Sequence, residues 1–168
     1  QKDIPVDSAL ASSHGLGFDG LLSFYNIKSM PVSNNRLLQQ IKQHLALDSR
    51  ANALYIASAT PSLLSTIAAD MPSGITATAP GFYGPQGRTL RLEPSIKNLP
   101  DTLSTFRSGN LRITNFEMET SALYGLGGLL GHKVLTVCAV IANRLRNEYS
   151  KNYKLTLEAL IRKVLQRI

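Results

Sequence analysis

Cysteine occurs once in the 168 residues, as Cys138, and histidine three times, as His14, His44 and His132, all far apart. No Cys/His spacing that would hold a metal is present, so no metal site is expected. The lone cysteine lies in the apolar run 134–141 and reads as a small buried hydrophobe in a reducing compartment. A cytoplasmic location is therefore expected. No apolar run is long enough to span a bilayer. The opening Gln1-Lys2-Asp3-Ile4-Pro5 carries no signal-peptide pattern and no starting Met. Internal repeats, low-complexity tracts and clear linkers are also missing.

Acidic residues are scarce, 11 against 18 Lys and Arg, for a net charge of +7. The excess is uneven: residues 144–168 hold seven basic residues and two acidic ones, Glu148 and Glu158. A basic tail can serve nucleic acid. Only Tyr149 and Tyr153 accompany these charges and no nucleic-acid motif is present, so the tail reads as a solvated or subunit-facing surface. Neither a nucleic-acid nor a membrane partner is expected. A basic protein would still attract phosphate and other anions weakly.

The length and a hydrophobic content of 43% suit one domain with a real core, residues 1–168. Residues 7–12 and 21–25 read as short strands around a turn-rich segment, 13–20. That segment contains a literal G-x-G-x-x-G at Gly15, Gly17 and Gly20. A dinucleotide fingerprint must follow a strand and open a helix, and the β-like Leu-Leu-Ser-Phe-Tyr after Gly20 argues for a hairpin turn instead. Ser33 or Asn34 can cap a helix reaching about Leu45. A buried strand over 53–57, a helix opened by Thr60-Pro61 and reaching about Ala69, and a strand over 75–79 follow. Leu90-Arg91-Leu92 admits a further short strand, and 94–110 reads as an irregular connection with a helical turn. After a strand over 111–114, a helix should begin near Met118. Gly125, Gly127 and Gly128 inside that helix imply close packing against a sheet. Residues 133–142 form the most hydrophobic strand and are expected at the sheet centre. The last helix has Leu157, Leu160, Ile161, Val164, Leu165 and Ile168 on one stripe. Strands alternating with helices argue for a layered α/β domain with a mostly parallel or mixed sheet.

Two stretches carry chemistry. In Asn115-Phe116-Glu117-Met118-Glu119, two carboxylates flank a methionine where a strand gives way to a helix, the place where α/β folds usually receive ligands. Acidic residues also favour any helix's first turn, so a cap is the alternative. The second stretch, Pro80-Gly81-Phe82-Tyr83-Gly84-Pro85-Gln86-Gly87-Arg88, is a loop after a strand. Pro and Gly make turns anywhere. Gln86 and Arg88, however, complement uracil, which shows one N–H between two carbonyls: the amide pairs with the N–H and one carbonyl, and the guanidinium donates to the other. Phe82 is placed to stack on the base.

The Asn-Phe-Glu-Met-Glu motif, the Phe-Tyr…Gln-x-Arg loop and Val140-Ile141-Ala142-Asn143-Arg144 together resemble the nucleoside phosphorylase family, and within it the uridine phosphorylases. The resemblance implies a layered α/β/α fold with a central mixed β-sheet. It implies a pentosyltransferase that cleaves a pyrimidine nucleoside with phosphate as co-substrate and without a cofactor. Phe82, Gln86 and Arg88 would bind the base, with Ile141 and Ala142 as its apolar wall. Glu119 would hold the ribose hydroxyls, Met118 would pack on the sugar, and Glu117 would shape the same pocket. Arg88 and Glu119 would be the catalytic pair. Related purine enzymes carry an Asp near Asn143, so the Asn favours pyrimidine. A homo-oligomer, a dimer or a trimer of dimers, is also implied. The match starts after the family's glycine-rich phosphate segment. The expectation is therefore the carboxyl-terminal part of a larger phosphorylase domain, its amino-terminal part missing and inactive alone. A nucleosidase on the same scaffold and a non-catalytic nucleoside-binding module are the alternatives.

Overall fold

The computed structural model describes residues 1–27, 32–47 and 53–168. Its elements in order are β1 (Ala9–Gly17), a 3-10 turn (Leu21–Phe24), α1 (Val32–His44), β2 (Tyr55–Ser58), α2 (Pro61–Ile67), β3 (Ser73–Thr78), a 3-10 turn (Gly84–Gln86), α3 (Leu99–Thr105), β4 (Arg107–Ser108), β5 (Leu111–Glu117), α4 (Thr120–Leu129), β6 (Val137–Ala139), β7 (Ala142–Asn143), β8 (Glu148–Tyr149) and α5 (Tyr153–Leu165). The main sheet runs β2-β1-β3-β5-β4, with β6 also on β1. Strands β1, β3 and β5 are parallel, while β2 and β6 run antiparallel to β1 and β4 antiparallel to β5. The expected mixed sheet is thus present.

Alternation along the strands separates two helical layers. Leu16, Ile56, Ile75, Ala77 and Ile113 point to one face, where Leu37 and Ile41 of α1 and Leu99 and Leu103 of α3 close the largest core. The opposite face takes α4, whose buried Tyr124 packs on Ala57 and Ala59. A separate cluster joins Ala68 and Met71 to Ala11, with Leu160 of α5 against them. Among the described residues, no helix is long and apolar enough to cross a membrane.

Several expectations are corrected. The segment 13–20 is no hairpin: β1 runs straight through Ser13–Gly17, and 21–24 is a 3-10 turn. The strand over 133–142 is not central. Its paired part, β6, is three residues long and takes a place beside β2 on one edge of β1, and β1 is the hub. Its apolar residues serve contacts with α2, α4 and α5 rather than a fully flanked position. Helix α1 begins at Val32, so Ser33 and Asn34 fall inside it. Asn34 is buried there and holds β2, donating to Ile56 O and accepting from Ser58 Oγ. Residues 90–92 form no strand. Of the α4 glycines, Gly125 packs against Leu22 and Tyr55 and Gly127 against Val134, whereas Gly128 faces open space.

Candidate functional site

The carboxyl ends of β1, β3 and β5 lie side by side, with Gly17, Thr78 and Glu117 in register. On the α4 side of these strands the side chains are polar and bonded across the sheet. Ser12 meets Thr76 at 2.6 Å, and Thr76 donates to Asn115 Oδ1 at 2.9 Å. One step further, Thr78 donates to Glu117 Oε1 at 2.5 Å.

Glu117 closes β5 and caps α4. Its Oε2 accepts the backbone N–H groups of Glu119 at 2.7 Å and Thr120 at 2.6 Å. These donors would otherwise be orphans at a helix start, and the carboxylate also complements the dipole. Glu119 stands at the N-cap position but makes no cap bond; its side chain is exposed and, among the described residues, accepts from Met118 N alone, at 3.1 Å. Met118 is exposed beside it. The cap and ligand alternatives are therefore divided: Glu117 serves the helix, and Glu119 is left to face outward.

The loop after β3 brings the second group together. The Arg88 guanidinium lies 3.6 Å from the centre of the Phe82 ring and donates to Phe82 O at 2.5 Å. Gly87, with φ of 72°, makes the turn between Gln86 and Arg88. Gln86 is buried, at 6% exposure, while Phe82 is 54% exposed. Arg144, which sequence reasoning did not assign, joins them: it donates to Gln86 O at 3.4 Å and sits 5.3 Å from the Phe116 ring centre. Its position one residue past Asn143 in the matched motif was the available signal. Burial first, and then the Arg88 charge, push the Arg144 guanidinium below its ordinary pKa. Two guanidinium groups so placed favour a ligand that offers oxygen acceptors or gains negative charge.

Ile141 and Ala142 lead into Arg144 and are both exposed. Asn143 differs from the expectation. It is buried, and its amide donates to Gln1 O at 2.8 Å and Ile4 O at 2.7 Å, tying down the first residues. A side chain so committed gives no support to base selection.

The two groups adjoin without bonding directly. Ala79 N donates to Glu117 O at 3.0 Å, so the base loop leaves β3 beside the carboxylate motif. No hydrogen bond or ion pair joins Glu119 to Gln86 or Arg88 among the described residues. A cavity of about 220 Å³ behind the loop, lined by Phe18, Pro80, Pro85, Ile96 and Leu99 among others, includes none of the assigned residues.

Residues 7–167 match the model of the phosphorylase superfamily. The chain belongs to that superfamily. Its resemblance to nucleoside phosphorylases, and among them to uridine phosphorylases, is borne out. A uridine phosphorylase of Thermococcus kodakarensis is 44% identical over 81 residues, 46% of this chain and 27% of that protein. A Trypanosoma brucei nucleoside phosphorylase, described as showing uridine phosphorylase activity, superposes with a TM-score of 0.87 at 23% identity, covering 99% of this chain and 59% of its own. A purine nucleoside phosphorylase of Toxoplasma gondii superposes with a TM-score of 0.56 at 14% identity, covering 99% and 56%. At these identities the solved structures show the fold. The chain spans about a quarter of the curated relative and under two thirds of these superfamily structures.

Proposed function

We propose that this chain supplies the base and ribose sites of a pyrimidine-nucleoside phosphorylase, which converts uridine and phosphate to uracil and ribose 1-phosphate. The observation that carries this reading is the grouping of Gln86, Arg88 and Arg144 beside Phe82 and Phe116, one strand from Glu119. In this reading a phosphate oxygen forms a bond to the anomeric carbon as the bond to the uracil nitrogen breaks. The electron pair leaves with the base, where Arg88 stabilises the growing charge more in the transition state than before it. Gln86 pairs with the ring N–H and a carbonyl, and Phe82, Ile141 and Ala142 supply apolar contact. Glu119 holds the ribose hydroxyls of the oxocarbenium-like sugar, Met118 packs on the ring, and Glu117 fixes the backbone that carries them.

By the same resemblance, the phosphate grip and a homo-oligomeric assembly belong to the whole enzyme, and the lone Cys138 supports a cytoplasmic setting. Residues 1–168 alone are not expected to carry out phosphorolysis. The test uses the full-length enzyme with uridine or inosine, with and without phosphate. Uridine cleavage should require phosphate, exceed that of inosine, and fall at least about tenfold in Arg88→Ala, as expected for one charge-stabilising donor. Undiminished turnover by that variant would overturn the base assignment. Faster inosine cleavage would overturn the pyrimidine preference, and cleavage without phosphate would make the enzyme a nucleosidase.

A further inference from the structure

Gly15, Gly17 and Asp19 take no part in the two groups above, yet they hold the start of α4. Both glycines face that helix. A Cβ on Gly15 would come within 2.8 Å of the Ser121 Cα, and one on Gly17 within 2.4 Å of the Tyr55 ring. Such approaches leave no room for a side chain, so α4 rests its first turn directly on β1 only because both positions are glycine. The chain then brings Asp19 to the same turn. Asp19 Oδ2 accepts from Ser121 Oγ at 2.9 Å and from Tyr55 OH at 3.2 Å, and its Oδ1 accepts from Leu21 N at 2.9 Å. Tyr55 OH also lies 2.9 Å from Ser121 Oγ, so its single proton is shared between the two oxygens.

Ser121 is thus gripped twice. Its hydroxyl is held by Asp19, and its N–H donates to Thr78 Oγ1 at 2.9 Å. The Thr78 hydroxyl donates in turn to Glu117, which accepts the N–H of Glu119. A continuous path of hydrogen bonds therefore runs from Asp19 to the Glu119 backbone. Glu119 itself is exposed, and among the described residues its carboxylate has the neighbouring Met118 N–H alone to hold it. Its placement is only as good as the turn beneath it.

We propose that Asp19, acting through Ser121 with Tyr55, is a positioning residue that sets where Glu119 stands. The inference rests on assigning Glu119 to the ribose, and a double-mutant cycle separates the two claims. Asp19→Asn, Glu119→Gln and the double variant are made in the full-length enzyme, and kcat and KM for uridine are measured at saturating phosphate, beside thermal unfolding. Asp19→Asn alone should lower kcat about tenfold, whereas in the Glu119→Gln background it should cost less than about twofold, because residues acting as a unit are not additive. An equal loss in both backgrounds would show that Asp19 serves only the fold, and would overturn the proposal while leaving Glu119 assigned. Full activity of Glu119→Gln would remove the ribose assignment and this proposal with it. If Asp19→Asn does not fold, Ser121→Ala takes its place in the cycle with the same expectations. Amide exchange at Thr120 and Ser121 should also quicken at least tenfold in the folded single variant; unchanged exchange would overturn the grip.

Discussion

Glu117 accepts the Thr78 hydroxyl and the N–H groups of Glu119 and Thr120, while Glu119, two residues on, accepts a single N–H among the described residues. Carboxylates this close in sequence should therefore respond differently to substitution. In the full-length enzyme, Glu119→Gln should leave the unfolding midpoint nearly unchanged and lower kcat for uridine by at least about tenfold, the loss of one preorganised partner of the transition state. Glu117→Ala should instead lower stability by about 1–3 kcal/mol, because it removes an acceptor shared by three donors. Denaturant unfolding and steady-state kinetics on both variants check the division. A destabilised Glu119→Gln with activity lost only in proportion would return that residue to the helix cap. The contrast could not be read from spacing: both residues suit a first turn, and only the Thr78 hydroxyl on the neighbouring strand selects which one is tied down.

Among the elements, α4 shows how one polar group can join distant segments. The Tyr124 hydroxyl, fully buried, donates to Ser12 O at 2.6 Å and accepts from Thr136 N at 2.8 Å, linking β1 to the segment that leads into β6. Tyr124→Phe keeps the ring and leaves both backbone groups without this partner. It should cost about 1–3 kcal/mol, read as a lower urea midpoint; an unchanged midpoint would mean that water replaces the hydroxyl. The same elements mark what local pattern can convey. Helix α2 after Thr60-Pro61, strand β3 and the β5–α4 junction were all legible, because caps, alternation and helical spacing are local. Strand β1 was not. Its glycines resemble turn residues, and what requires them is the approach of α4, more than a hundred residues away in sequence. The hydrophobicity of 133–142 likewise reports burial under neighbouring helices and not rank within the sheet. In the candidate site, the two motifs were visible as wording, whereas Arg144 and Asp19 enter through contacts across the fold.

For the molecule as a whole, α5 is the least embedded layer. Leu160 and Val164 turn partly inward, but Leu157, Ile161, Leu165 and Ile168 of the same stripe remain exposed, so the expected apolar seam is only half used. Charge secures the rest. Lys163 and Arg167 hold Asp70 at 2.9 and 2.6 Å, and Asp7 accepts from Ser150 and Thr156 near the helix start. Hydrogen bonds from Arg167 and then Lys163 keep the Asp70 carboxyl far below the usual carboxylate range. A depressed acid contributes in full above its unfolded pKa of about 3.9 and loses that contribution as the pH falls through the folded value. Amide protection along α5 should therefore stay level from neutral pH to about pH 4, then fall, and it should weaken in salt. Protection indifferent to acid and salt would credit Leu160 and Val164 alone. A different consequence belongs to β1, whose edge is shared by β2 and by β6. During synthesis at about 5–20 residues per second, on the order of ten seconds separates the emergence of β1 from that of β6. The hub strand waits through that interval with part of one edge unsatisfied, in the care of whatever chaperone meets the nascent chain. The sheet can close only after residues 137–139 have left the ribosome.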